Sequence, residues 1–209
     1  MNLMRFARLS VVTAALFLPA SLLYADTSPP EEAPGPPSLT GQLLVASPEM
    51  RDPRFYHTVI LVVRHDRNGA LGIIINRPVE NRSLASLLEA LGEKDTGIAG
   101  SVRIFAGGPV QPEIGFVLHS ADYHQPGTID IDGRVAMTSS LQVLRDIGNR
   151  RGPSKSLVAF GYAGWKSNQL EGELRERAWV TAADDEKLIF DEDRDKVWDE
   201  AMKRRTQDL

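Results

Sequence analysis

Apolar residues recur along this chain with two periods. At period two, Val59, Leu61 and Val63 share one face of segment 57–65 while Ile60 and Val62 share the other. Both faces are apolar, so the segment reads as a central strand covered on both sides. A shorter apolar run, 42–47, precedes it and stops at Pro48. Ile73, Ile74 and Ile75 follow it after Asn68-Gly69, a turn dipeptide that makes the pair a hairpin ending at Pro78. Further strands are expected at 102–106, 114–119, 156–162 and 179–182, with another hairpin over 128–137 turning at Asp132-Gly133.

At the helical period, Leu84, Leu87, Leu88 and Leu91 fall at i, i+3, i+4 and i+7 ahead of Gly92 and predict one amphipathic helix. Ser139 and Gln142 have the spacing of a capping box for a second helix carrying Leu141, Leu144 and Ile147, with Gly148 behind it. Ser167 or Asn168 is expected to cap a third, which carries Leu170 and Leu174. The chain closes on a fourth, in which Asp191, Glu192 and Asp193 precede Val197, Trp198, Ala201 and Met202, with Lys203, Arg204 and Arg205 behind. That charge order suits a helix dipole. Hairpins interspersed with irregularly placed helices predict a single, largely antiparallel α+β domain rather than a βαβ repeat, with a doubly wound sheet as the alternative.

The first 38 residues follow neither period. Arg5 and Arg8 precede an apolar run over 9–18, and Leu23-Tyr24-Ala25 ends in a small residue: the order of a secretory signal, residues 1–25, cleaved after Ala25. Leu23 is larger than ideal three residues before the cut, which keeps an uncleaved membrane anchor as the alternative. Residues 26–38 hold Pro29, Pro30, Pro34, Pro36 and Pro37 with Glu31 and Glu32, a composition that builds no core and reads as a tether. The folded domain is therefore expected over 39–209, working in the periplasm. The net charge of −4 becomes more acidic once the signal and its two arginines are removed, which opposes binding to phosphate backbones. The chain has no cysteine, which excludes disulfides, thiolate metal sites and a cysteine nucleophile.

Candidate chemistry is sparse. His57 and His65 stand at opposite ends of one strand, roughly 26 Å apart at 3.3 Å per residue, too far to share a metal. His119, Asp122 and His124 are near one another in sequence, and a turn gathering them would suit a metal-assisted hydrolase; a hydrogen-bonded loop is the competing reading. Neither a Gly-x-Ser-x-Gly elbow nor a phosphate loop ending in Gly-Lys-Ser/Thr is present. Three corners invite close backbone approach to a ligand: Asn76-Arg77-Pro78, Gly107-Gly108-Pro109, and Gly161-Tyr162-Ala163-Gly164-Trp165 ahead of a helix start. The competing reading makes Gly107 and Gly108 a turn, Trp165 a core residue and Arg77 a solvated or paired charge.

Taken in order, Leu39-Thr40-Gly41, Leu43-Leu44-Val45-Ala46, Asp52-Pro53, Asn76-Arg77-Pro78, Gly107-Gly108-Pro109-Val110 and Gly161-Tyr162-Ala163-Gly164-Trp165, then Gln169-Leu170-Glu171, resemble the AlgH/YqgE family of bacterial proteins. The resemblance runs from Leu39 to the last helix. It implies a bifurcated, partly barrel-like sheet, and no agreed activity, cofactor or catalytic residue; some members have been described as candidate transcriptional regulators. Two departures stand out: typical members begin almost at the Leu-Thr-Gly segment and look cytoplasmic, and Lys166-Ser167-Asn168 replaces the usual small or proline residues after the Gly-Trp corner. The expectation is a noncatalytic binding or interaction domain in the periplasm, without a cofactor, for a protein or small-molecule partner. Membrane contact would come only through an uncleaved signal. Its binding candidates are Asn76, Arg77, Gly107, Gly108, His119, Gly161, Gly164 and Trp165, with the hydrolase and the transcriptional regulator as alternatives.

Overall fold

The structure, a computed structural model, describes residues 37–94, 97–190 and 193–206. The proposed signal and nearly all of the tether lie outside them, as do Asp191 and Glu192 of the expected acidic helix entry. Ten strands form one sheet: β1 (Leu43–Ala46), β2 (Val59–Asp66), β3 (Gly69–Ile74), β4 (Pro78–Ser83), β5 (Ser101–Ala106), β6 (Val110–Ser120), β7 (Ile129–Asp130), β8 (Val135–Thr138), β9 (Ser156–Lys166) and β10 (Trp179–Ala182). Among the described residues five helices accompany them: α1 (Leu84–Ala90), α2 (Gln142–Gly148), α3 (Gln169–Arg175), α4 (Glu186–Phe190) and α5 (Val197–Lys203), with a 3-10 turn at Pro53–Phe55. The order β10-β1-β2-β3-β9-β6-β8-β7 is antiparallel throughout and curls into a half-barrel.

The sheet forks at β9. Its first half pairs with β6 and, in parallel, with β5, which carries β4; its second half, 163–166, pairs with β3. Alternation along the strands distributes side chains between separate cores. Leu43, Val45, Val59, Leu61 and Val63 fill the inside of the curl with Leu188, Ile189, Val197 and Ala201 of α4 and α5. Leu44, Ala46, Ile60 and Val62 point the other way, to Trp165, Leu170 and Trp179 under α3. The two-faced pattern read at 57–65 thus has its cause in two layers covering one strand. A third core packs Leu84, Leu87 and Leu88 of α1 and Val143 and Leu144 of α2 on Ile104, Val117 and Val158.

Arg194, itself buried, closes the inner core by donating to the carbonyls of Ile75, Leu188 and Ile189 and lying over Phe105. Those carbonyls at the end of α4 are where a cation offsets the helix dipole.

Several elements depart from the sequence pattern. The second strand stops at Ile74, before Pro78 as expected, but Pro78 also opens an unexpected strand, β4, whose residues are exposed apart from half-buried Arg82 and so carry no alternation to read. Proline is tolerated there because β4 is an edge strand. The β2–β3 turn falls on Arg67-Asn68, with Gly69 already paired to Asp66. β9 runs on through the Gly161–Trp165 corner instead of stopping at 162, because residues 163–166 leave β6 and pair with β3. Ser139 does not cap α2: the N-cap position is Leu141, without a side-chain cap, and Ser140 before it accepts the Gln142 amide at 3.3 Å. Asn168 precedes α3 in a left-handed conformation and makes no side-chain cap. The short helix α4 was not expected.

Candidate binding cleft

Two of the sequence corners, at Pro109 and at Gly164-Trp165, line one concave region of about 860 Å³, and the third, Asn76-Arg77, braces its wall. Its first wall is the β1–β2 connection, including Met50, Arg51 and Phe55. That connection is held by Asn76, whose amide oxygen accepts the Val59 N–H at 2.9 Å and whose amide nitrogen donates to His57 O at 2.9 Å. Arg77 adds bonds to the carbonyls of Arg54 and of Tyr56, and its burial lowers the guanidinium pKa. The Arg54 side chain in turn bonds Asp52, which holds that carboxyl below the usual range. Asn76 and Arg77 are therefore supports of the wall rather than parts of its surface.

The second wall is Pro109 and Val110, placed by the Gly107-Gly108 crossing over β9. The Gly107 amide donates to Phe160 O at 2.7 Å, and its carbonyl accepts the Ile74 amide at 2.8 Å, so Gly107 spans the fork in the sheet. Gly108 (φ +156°) and Gly161 (φ +75°) meet there. A Cβ on Gly108 would lie 2.1 Å from the Tyr162 carbonyl carbon, and one on Gly161 would lie 2.4 Å from Gly108 O. Two backbones cross without side chains between them, a geometry only glycine permits.

The third wall is α3 and the turn after it, with Glu173, Glu176 and Arg177; the floor is Trp165 and Trp179, with Gly164 beside them. Both indole N–H groups donate to Glu173 Oε2 at 2.8 Å, and Gln169 Nε2 donates to Oε1 at 2.9 Å. One carboxylate thereby fixes the two indoles nearly perpendicular, 6.0 Å between centroids, and Phe55 meets Trp179 edge-on at 5.4 Å. Charge-assisted bonds of this kind are strong and directional. With three donors already on it, Glu173 is a positioning group and not a free acid or base. Around the floor, the side chains of Glu49, Arg51, Glu176 and Arg177 make no ion pair among the described residues.

Of the eight residues singled out from the sequence, Gly164 and Trp165 line the cleft, and Asn76, Arg77, Gly107, Gly108 and Gly161 set its walls. His119 does not belong there. It is fully buried, its Nδ1 bonds Ser120 O at 2.9 Å, and its ring packs edge-on against Tyr123 at 5.4 Å. Asp122 and His124 are both exposed, and Asp122 accepts from the Ser120 hydroxyl and the Ser154 amide. Nor do three His, Asp or Glu side chains converge anywhere among the described residues. The hydroxyl of Tyr123 donates to Asp146 at 2.8 Å, and burial with that bond pushes its pKa up to about 12. His65, read as a strand-end residue, is a buried link: Nδ1 accepts the Leu39 amide and Nε2 pairs with Glu171, both at 3.0 Å.

Phe55, Glu173, Arg177 and Trp179 were missed. The available signal was the Gln169–Glu173 spacing, which places both on one face of a helix beginning four residues after Trp165.

The family model described as AlgH-like matches residues 43–209. The chain belongs to this AlgH-like family. A UPF0301 protein of Rhodospirillum rubrum is 45% identical over 153 residues, 73% of this chain and 80% of the relative. One of Rhizorhabdus wittichii is 45% identical over 168 residues, 80% of this chain and 90% of the relative. The solution structure of the AlgH protein from Pseudomonas aeruginosa superposes with a TM-score of 0.69 at 38% identity, covering 83% of this chain and 92% of that one. A crystal structure of a Corynebacterium diphtheriae protein, 19% identical with a TM-score of 0.64 over 83% of this chain and 90% of that one, shares the fold. Among the described residues no helix is long and apolar enough to cross a membrane.

Proposed function

We propose that this AlgH-like protein is an exported, noncatalytic interaction domain and that its cleft receives a stretch of another polypeptide. The observation that carries this reading is the cleft's composition: Met50, Phe55, Pro109 and Val110, half-buried or exposed, lie within a ring of unpaired charges of both signs. An apolar centre with a polar, charged rim is the anatomy of a protein-binding patch. A rim of mixed sign favours a chain bearing both charges over a polyanion, which argues against the regulator alternative. The engagement of Glu173 by three donors argues against Glu173 as an acid or base, and the separation of His119 from Asp122 and His124 argues against the hydrolase. Export rests on the segment 1–25.

The test is selection of a displayed random-peptide library on the protein recovered from cells expressing the full-length chain, followed by calorimetry with the enriched peptides. Enriched peptides should carry an apolar side chain between charges, and Val110→Glu and Arg177→Glu should each weaken them about tenfold, or ~1.4 kcal/mol. No enrichment, or peptides indifferent to both changes, rejects the reading. Intact mass in the periplasmic fraction tests export separately: 26–209 supports it, and full-length protein in the cytoplasm rejects it.

A further inference from the structure

On the other half of β9 lies a cavity of about 150 Å³ under α1 and α2, with a different character. Its deep wall is Val117, Leu144 and Val158, all buried, while Leu91, Ile114, Leu141 and Phe160 stand half-exposed at its mouth. Not one ionisable side chain lines it. Apolar residues left partly in water around an open apolar cavity gain by being covered, and a cavity of roughly this volume takes a single benzene-sized ring.

A polar feature interrupts the apolar lining. Segment 138–140 contributes three consecutive hydroxyl residues to the lining, Thr138 buried, Ser140 half-buried and Ser139 exposed. Thr138 Oγ1 accepts the Ser140 amide at 3.2 Å, and Ser140 Oγ accepts the Gln142 amide at 3.3 Å. Each bond uses a lone pair and leaves the hydroxyl proton free to donate, and neither oxygen donates to any group among the described residues. A buried hydroxyl with an unused proton is better satisfied by an acceptor than by hydrocarbon.

We propose that this cavity is a binding site, separate from the charged cleft, for a small neutral molecule: one apolar ring or short aliphatic chain bearing one hydrogen-bond acceptor. The ring covers Val117, Leu144 and Val158, and the acceptor receives a hydroxyl proton from the 138–140 segment. With no charge in the lining, neither an anionic nor a cationic headgroup has a counterpart inside.

The probes are acetophenone, which has a ring and a carbonyl acceptor, and ethylbenzene, which has nearly the same shape without the acceptor. They are titrated into the protein recovered from cells expressing the full-length chain, with the methyl resonances of Val117, Leu144 and Val158 and the indole N–H resonances of Trp165 and Trp179 followed by NMR. Acetophenone should shift the three methyl sets with a dissociation constant on the order of 1 mM and leave the two indoles unmoved. Ethylbenzene should bind at least threefold more weakly. Leu141→Trp, which fills the mouth from a half-exposed position, should weaken acetophenone at least tenfold; Ile114→Trp serves the same purpose if the first variant does not fold. Methyl shifts absent up to the solubility limit, or surviving the folded mouth-filling variant unchanged, overturn the site. Equal affinity for the two probes overturns the assignment of the acceptor.

Discussion

The two halves of β9 make an instructive contrast. Val158 and Phe160 face a small cavity without a single charge, whereas Gly164 and Trp165 floor a cleft whose rim alternates Glu49, Arg51, Glu176 and Arg177. One strand, eleven residues long, serves both. The difference lies in what covers it: α1 and α2 lay leucines over the first half, while α3 brings a carboxylate, Glu173, into contact with the indoles of the second. A side chain's surroundings along one continuous strand are thus decided by the elements that other parts of the chain deliver to it. The fork at Gly161 is what lets the two coverings differ.

The largest effect is expected at the fork itself. Gly108→Ala places a methyl group against the Tyr162 backbone and should cost about 3 kcal/mol or more, disturbing both sites at once in denaturant titrations. A variant with wild-type stability would remove the crossing as the common support. Next is Glu173→Ala, which leaves two largely buried indole donors without an acceptor and should cost roughly 2–4 kcal/mol, with altered tryptophan emission and an unchanged response to acetophenone. Glu173→Gln keeps an acceptor oxygen and should cost roughly half as much.

A smaller effect concerns the tie between the two ends of the sheet. Arg134 of the β7–β8 turn bonds both Asp132 beside it and Asp184, just past β10. Burial and the neighbouring Asp132 carboxyl push Asp184 up to about 6. Although burial opposes it, the Val135 and Arg134 amides hold Asp132 below its usual value. Because the folded pKa of Asp184 is raised, its contribution is complete below about 3.8 and is lost as pH climbs through about 6. Asp132, with a depressed folded pKa, contributes above its unfolded value and loses that contribution only in stronger acid. Discounted for partial solvation, the Asp184 effect is about 1 kcal/mol, and Asp184→Asn should flatten it in urea titrations run from pH 4 to 7. Smallest is the response to salt: raising it from about 50 to 500 mM should weaken cleft-bound peptides roughly threefold while leaving acetophenone affinity unchanged, because only the cleft carries exposed charge.

Much of this architecture was legible from residue spacing. The leucines of α1, the doubly apolar β2 and the Asp132-Gly133 hairpin are local patterns, since their periods are imposed by the backbone itself. The glycine corners were legible as special positions, but their role was ambiguous. Gly108 is conspicuous in sequence, yet the reason for it, the Tyr162 backbone of a strand more than fifty residues away, is not written near it. β4 was invisible because an exposed edge carries no apolar alternation. Glu173 looked like one more charge on a helix.

The order of apolar and polar residues, read alone, determined the α+β class, most of the strands, the principal helices and, through its chain of motifs, the family. These follow from short-range stereochemistry and from the free energy of hiding apolar surface, which act on neighbours in sequence. Tertiary structure alone decided that two distant corners line one cleft while a third braces its wall, that His119 is buried away from it, and that one carboxylate holds two indoles 14 residues apart in the chain. Those outcomes depend on close approach and on hydrogen-bond geometry between remote segments. Such contacts have no period along the chain and come into being only when the sheet curls.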